Sequence, residues 1–597
     1  MPPFLRIPVL LAVSPWGSAA QTVHRTPLDE AGSEVEVESI FSVVPPTGYA
    51  PLRVKVKNDG SAERAISLSA SSVTDGYYGN SHALDSSFLL TAPAGKTTER
   101  EILVPVCGAT VGSAGAELRC QVQGGSRAGG FSFDAGGQLD MLFAVFSRGL
   151  AGRSIADINK TAQSTAGRSY GNASFAGLYD PAMLPSDWRG YSGLDVLAIS
   201  ADEWMALQPG MRSAILQWVK LGGWLDVYQQ AGGPALASLG IHADTALQDE
   251  RGHMGTPHAL GAGRISLIDW DGRELDGSAA RDYTKAKVRT IRREEYALAL
   301  RDMTPLMGAL GEKDFAAWQV GLILFIFGIV VGPVNLFYLA KAGKRHRLFY
   351  TTPLISIAAA VLLLLVIFFQ DGTGGTGHRA SVVYLDAAEN AAFVHQFQVS
   401  RTGVLFGGSF EMKETAVVNM AVLPASRWNR LGTGNESYAS RSNSRAEPQS
   451  YTVSGKSYAG GWFQSRTEQG QILDAVLSTR GRLELQRGSP SPLITSTLTA
   501  SLDRVFYVDN DGACWASPGA VTTGALVALL EATQGDFAAW RAEAVAMLPE
   551  KLRLRLATEE VKNFFYASST DPRAGMVNTL GSIRWESDHV FLYGPLR

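Results

Sequence analysis

The sequence predicts a multidomain membrane protein: an N-terminal β-sandwich, a doubly wound α/β domain, two transmembrane helices, and a mainly β C-terminal domain with a helical insertion. Three observations predict it. Two long apolar runs, Ala317–Ala340 and Leu348–Phe369, contain no Asp, Glu, Lys or Arg. Short segments of alternating polarity fill residues 35–133, and from about residue 138 strands alternate with helical patterns. With 597 residues, the chain is long enough for several cores. Its net charge of −3, with no strongly basic soluble segment, argues against a nucleic-acid partner.

Residues 1–20 have one positive charge at Arg6, a short apolar segment at Ile7–Val13, and a small-residue end at Ser18, Ala19 and Ala20. That is a signal-peptide pattern. From 33 to 135 the stretches VEVESIFSVV, LRVKVKN, AISLSAS and EILVPV are separated by the turn signals PPTGY, NDGS and APAGK. Leu52, Val54 and Val56 alternate with Arg53 and Lys55, the period of a half-buried strand. Strands spaced in this way suggest a β-sandwich. Cys107 and Cys120 bracket a Gly-rich stretch. In an oxidising compartment they are able to pair; otherwise they are two small buried residues. Cys514 is expected in a core.

Residues 138–275 change pattern. LDMLFAVFS and LDVLAIS are continuous apolar strands, and Ile215, Leu216, Val219 and Leu221 fall at helical spacing before the stop Gly222-Gly223. WLDVYQQAGG then reads as a third strand. Buried strands joined by helices indicate a parallel, doubly wound α/β domain.

The stretches LPSDWRGYSGLDVLAIS (184–200) and LQPGMRSAILQWVKLGGWLDV (207–227) resemble the class I glutamine amidotransferase-like fold, in the version seen in uncharacterised bacterial membrane proteins. VGPVNLFYLAKAGKRHRLFYTTPLIS (331–356) and GYAPLRVKVKNDG (48–60) are similar to the membrane hairpin and the β-domain opening of the same group. The resemblance implies a flavodoxin-like α/β architecture, bacterial envelope membership and association with transport systems. It assigns no reaction. The glutamine amidotransferase nucleophile is a cysteine on a strand-to-helix elbow, and residues 138–275 contain no cysteine.

A serine is the alternative nucleophile. Ser200 ends LDVLAIS and Ser192 precedes Gly193, neither within G-x-S-x-G; His253 and His258 are candidate bases, and Asp202 or Glu203 candidate acids. The commoner reading of Ser200 is a strand-end serine exposed at a loop. His253 and His258 are separated by Gly255 and Pro257, which break the helix that would place two imidazoles on one face for a metal. No phosphate loop, HExxH, CxxC or EF-hand pattern occurs, and Gly261-Ala262-Gly263-Arg264 is a turn before a strand. No cofactor or metal is expected.

Residues 280–315 form a connector, with a charged helix over 285–302. Each apolar run that follows is long enough as a helix, at about 1.5 Å per residue, to cross a hydrocarbon core of about 30 Å. In the loop 341–347, Lys341, Lys344, Arg345 and Arg347 stand at the membrane ends, so the loop should be cytoplasmic and both large flanks extracytoplasmic. Gln319 and Asn335 are the strongly polar residues of the runs. Gly332-Pro333 should kink the first helix, freeing Asn335 to hydrogen-bond the second helix or a membrane partner. The absence of intramembrane charge argues against an ion pathway.

After the spacer DGTGGTG, residues 378–597 read as mainly β, with a polar loop over 430–450, a turn at Asn510-Asp511-Gly512, one or two helices in Gly524–Leu548, and a final strand HVFLYGPL. The expected protein is thus a multi-pass inner-membrane protein in contact with the lipid bilayer and a membrane-protein partner. Its exported domains bind a protein or a ligand without catalysis. A membrane-tethered serine hydrolase and a small-molecule sensor are the alternatives.

Overall fold

The computed structural model describes residues 23–29, 32–74, 82–106, 116–124, 129–134, 136, 142–165, 174–246, 255–285, 304–311, 317–339, 343–405, 407–421, 449–486, 491–558 and 561–596. The protein is multidomain and mostly β, with some helices.

The first four-stranded sheet runs Val23–Pro27, Glu34–Ser39, Gly48–Asn58, Lys96–Val106, all antiparallel. The alternation read at residues 52–56 holds: Leu52, Val54 and Val56 are buried while Lys55 faces solvent. They meet Ile66, Leu68, Leu90, Leu118 and Val122 from a second sheet, closing one sandwich core. That second sheet has the order Ser409–Glu411, Ser457–Gly460, Gln449–Ser454, His82–Ala92, Arg64–Thr74, Ala116–Gln123, Gly129–Asp134. Three of its strands therefore come from beyond the two apolar runs. The junction is parallel, with Gln449 opposite His82 and Val453 opposite Ser86.

In the third sheet Ala176–Tyr179, Ala144–Ser147, Val196–Ser200, Trp224–Gln229 and Gly263–Asp269 lie side by side in parallel. Thr256–Leu260 and Thr245–Ala246 extend it antiparallel at one edge. Alternate strand residues enter different cores, as period-two geometry requires. Val145, Leu197, Ile199, Leu225 and Val227 pack with Ile215, Trp218 and Val219 of the helix Pro209–Lys220. Ala144, Phe146, Val196 and Ala198 pack with Ile158 and Ala162 of the helix Ile155–Thr165. At the helix stop Gly222 has φ of 112°, and a Cβ on Gly223 would lie 2.2 Å from the Trp218 ring. Only glycine permits that turn.

The charged helix expected over 285–302 lies outside the described residues apart from Lys285, which ends the helix Gly277–Lys285. Two apolar helical segments long enough to cross a membrane follow, Gly321–Leu339 and Arg345–Val366. At Gly332-Pro333, where a kink is expected, the hydrogen-bonding pattern of the helix changes. Ala317–Ile329 is α-helical, and the chain then widens to a π-helix over Val330–Leu339. Pro333 has no amide hydrogen to donate and its ring crowds the carbonyl one turn back, and a wider turn relieves the crowding.

The last segment forms a nine-stranded sheet ordered Ala416–Ala421, Glu468–Ser478, Ala391–Thr402, Gly375–Asp386, Ile583–Pro595, Phe564–Ser569, Arg504–Val508, Cys514–Ala516, Leu530–Ala532. Part of the expected spacer is strand, beginning at Gly375. The helices expected in Gly524–Leu548 are shifted: Leu526–Ala528 and Leu530–Ala532 are strands, and the helices are Gln534–Ala544 and Glu550–Thr558. Most of the loop read at 430–450 lies outside the described residues, but Gln449 and Ser450 begin a strand.

Candidate functional site

Two places merit consideration. The first is the carboxyl end of the parallel sheet. The chain leaves Ala144–Ser147 for Ala176–Tyr179 on one side and returns with Val196–Ser200 on the other, so the order reverses between Ser147 and Ser200. Crevices at such reversals hold ligands in open parallel sheets. Here the crevice is filled by the protein's own carboxylate. Ser147 Oγ donates to Glu203 Oε2 at 2.7 Å and Ser200 Oγ donates to the same oxygen at 2.8 Å. Ser200 also caps the helix Ala201–Ala206 through a reciprocal capping box with Glu203, and Ser147 caps Arg148–Ala151. Glu203 therefore occupies the position between two helix N-termini that an anionic ligand would take.

The serine-histidine-acid arrangement weighed for Ser200 is not assembled. Ser200 is buried and its hydroxyl is committed to Glu203. His258 lies on Thr256–Leu260, three strands from Val196–Ser200, about 14 Å away at normal strand spacing. His253 lies outside the described residues. Ser192 donates to the Arg189 carbonyl at 2.7 Å and accepts from the Tyr49 amide at 3.1 Å, joining the sandwich to the parallel sheet, and Asp202 is solvent-exposed. Ser200 ends its strand as read from the sequence, but it is buried as a helix cap rather than exposed at a loop.

The second place is the seam between the segments that precede and follow the two apolar helices. The helix Pro209–Lys220 ends in a lysine that is only 3 % exposed. Its Nζ donates to Asp386 Oδ2 at 2.8 Å and lies 2.7 Å from Glu389 Oε1. The ammonium also sits 5.2 Å from the centroid of the Phe393 ring. Asp386 Oδ1 accepts from the amides of Ala388 and Glu389. Burial works to raise the Asp386 carboxyl, but the Lys220 charge and hydrogen bond, with the two amides, outweigh it and hold the group below the usual range.

Beside this ion pair, Asp244 accepts from Tyr384 Oη at 2.8 Å and from the Gly261 amide at 2.7 Å. Burial pushes Asp244 up to about 6 against the opposing pull of those two bonds. A cleft of about 560 Å³ opens here, with Lys220, His242, Asp244, Tyr384, Glu389 and Lys562 among its walls. The arrangement suits recognition of a polar ligand. It has polar groups of both signs and no activated hydroxyl or thiol. Nothing in the sequence signalled it, because a lysine at a helix C-terminus reads as an ordinary dipole partner.

The remaining candidates fall elsewhere. Cys120 is buried in the strand Ala116–Gln123, and burial pushes its thiol up to about 12. Its proposed partner Cys107 lies outside the described residues. Lys344, Arg345 and Arg347 are exposed between the apolar helices, and Lys341 lies outside the described residues. Asn335 is fully buried, and its Nδ2 donates to Thr352 Oγ1 of the second helix at 2.9 Å, whereas its Oδ1 has no partner. Among the described residues no three His, Cys, Asp or Glu side chains are grouped to hold a metal ion.

No family model matches the chain, and no curated protein sequence matches it significantly. Among solved structures, a Paenibacillus sp. cycloisomaltooligosaccharide glucanotransferase is similar at 10 % identity and a TM-score of 0.16, with 36 % of this chain and 31 % of that chain covered. The chain thus spans about a third of that enzyme's length. The solution structure of R. palustris CsgH is similar over 16 % of this chain and 91 % of its own, at 14 % identity and a TM-score of 0.11. The yeast delta-COP-I mu-homology domain is similar over 37 % and 96 %, at 8 % identity and a TM-score of 0.17. At these scores the likenesses carry no argument about fold or activity.

Proposed function

We propose that the chain is a non-enzymatic, membrane-anchored envelope protein whose two large flanks act as one extracytoplasmic binding body, an accessory to a bacterial transport system. The observation that carries this reading is the pairing of Gln449–Ser454 with His82–Ala92, backed by the Lys220–Asp386 ion pair. Segments joined by a shared sheet lie on one side of a bilayer, so the apolar helices serve as a hairpin between them. The exposed Lys344, Arg345 and Arg347 at its turn favour the cytoplasmic side for that turn.

We also infer that residues 138–275 are a doubly wound α/β domain of the glutamine amidotransferase-like kind that has lost its nucleophile. The parallel strand order and the separate cores on its two faces support this. The use of Ser200 as a helix cap weighs against the hydrolase alternative.

External protease on intact spheroplasts tests the orientation. Both flanks should be cleaved while the hairpin is spared; a C-terminal flank protected until the cells are lysed overturns the reading. The cleft beside Asp244 favours small-molecule sensing as a second reading. A thermal-shift screen of the full chain against polar metabolites tests it, with a reproducible stabilisation lost in Asp244→Ala as the supporting outcome.

A further inference from the structure

The strand His82–Ala92 is covered unevenly. Arg64–Thr74 pairs with it along its whole length on one side. On the other side Gln449–Ser454 pairs only with His82 through Ser86. Among the described residues nothing pairs with this edge from Ser87 onward. In an antiparallel strand every second residue turns its N–H and C=O away from the partner, so the edge presents unpaired donors and acceptors.

Ser87–Leu90 forms one wall of a cleft of about 560 Å³. The opposite wall is the strand Lys96–Val106, which among the described residues pairs with Gly48–Asn58 alone. Ser186, Asp187, Arg189 and the hairpin turn at Gly455 also line the cleft. The two edges differ in kind. Lys96–Val106 carries Lys96, Glu99, Arg100, Glu101 and Pro105, the charges and proline that discourage strand addition. Ser87-Phe88-Leu89-Leu90-Thr91 has no charge and no proline, and Leu89 is 67 % exposed. An uncharged β-prone edge of this kind is an aggregation hazard unless something covers it.

We propose that the open edge at Ser87–Leu90 receives an extended, apolar-rich strand from a partner protein, which prolongs the line begun by Gln449–Ser454. Continuity with that existing junction is the main reason. The sheet already accepts a parallel strand from a remote segment at the same edge, and that strand turns away after Val453 at the cleft. The open stretch spans about 13 Å, room for roughly four paired residues. Backbone bonds would supply affinity, and an apolar side chain set against Leu89 would supply selectivity. Arg100, Glu101, Asp187 and Arg189 form a mixed-charge rim. This deepens the protein-binding reading above by naming the partner's form.

The test uses the full chain in zwitterionic nanodiscs and a panel of lysine-ended decapeptides alternating Thr with Val, Leu or Phe. Binding is read by fluorescence anisotropy, and hydrogen exchange is followed at Ser87–Leu90. At least one peptide should bind saturably and slow exchange at these amides. Its alternately N-methylated form, and the exposed-site variant Leu89→Lys, should each bind at least about tenfold more weakly. No binding across the panel overturns the proposal. So does equal binding of the N-methylated form, or protection elsewhere than Ser87–Leu90. Concentration-dependent protection without peptide, together with a doubled mass, would assign the edge to a second copy of this chain and also overturns it. Since the protease experiment reads orientation alone, failure here leaves the single-sided arrangement of the flanks standing.

Discussion

Lys220 and Asp386 form a buried ion pair, Nζ to Oδ2 at 2.8 Å, between residues 166 positions apart and on opposite sides of the two apolar helices in sequence. Glu389 is the second carboxylate at the same ammonium, at 2.7 Å. Removing the lysine leaves Asp386 buried without its cation. Lys220→Met should lower unfolding stability by about 3–5 kcal/mol, and Lys220→Met with Asp386→Leu should recover a substantial part of that loss. Urea unfolding of the full chain in detergent, followed by tryptophan fluorescence, measures both.

Asp244 gives the seam a pH dependence with a definite sign. Its carboxyl is raised from 3.8 to about 6 by burial, so the folded state resists ionisation more than the unfolded state does. Below about pH 4 the group is protonated in both states and costs nothing; the penalty grows between pH 4 and 6 and is complete above pH 6. Asp244→Asn removes that penalty but sacrifices one acceptor, since the two oxygens serve Tyr384 and Gly261 separately. The variant should therefore be within about 1 kcal/mol of the parent near pH 4 and more stable by about 1–2 kcal/mol at pH 8. A difference in stability that does not grow from pH 4 to pH 8 would contradict this.

Asn335 and Thr352 link the two apolar helices by a hydrogen bond, Nδ2 to Oγ1 at 2.9 Å, while Asn335 Oδ1 is already unpartnered. Thr352→Val should cost about 1 kcal/mol, since it strands a second buried polar group. Asn335→Leu should cost less, because it deletes the bond and the orphan together. Thermal unfolding in nanodiscs ranks the two variants.

Ser200 is a structural residue by its contacts. Ser200→Ala should lose about 1 kcal/mol from the lost cap to Glu203. A serine-reactive phosphonate should label neither the parent nor the variant at this position. Labelling of the parent that disappears in Ser200→Ala would restore the hydrolase reading.

Much of the architecture was legible in short windows of sequence. Leu52, Val54 and Val56 announced their strand through period two, and Ile215, Val219 and the Gly222-Gly223 stop announced their helix. Trp224–Gln229 read as a strand from its apolar run. Where the reading slipped, local signal was weak. Ala176–Tyr179 has four residues, and Leu526–Ala528 and Leu530–Ala532 have three each, too few to show a period. The π-helix over Val330–Leu339 was not foreseen, because hydropathy does not distinguish a π-helix from an α-helix.

The sequence by itself determined the two apolar runs long enough to cross a membrane, the basic turn between them and the absence of a cysteine in residues 138–275. These depend on hydropathy, charge and composition, which are properties of neighbouring residues. Only the tertiary structure decided that Glu203 occupies the crevice between Ser147 and Ser200, that Lys220 meets Asp386, and that Gln449–Ser454 completes part of a sheet begun at His82. The physical reason is range. A lysine, a carboxylate or an open strand edge carries no local mark of its partner, because each becomes committed only when packing brings a distant segment within hydrogen-bonding distance.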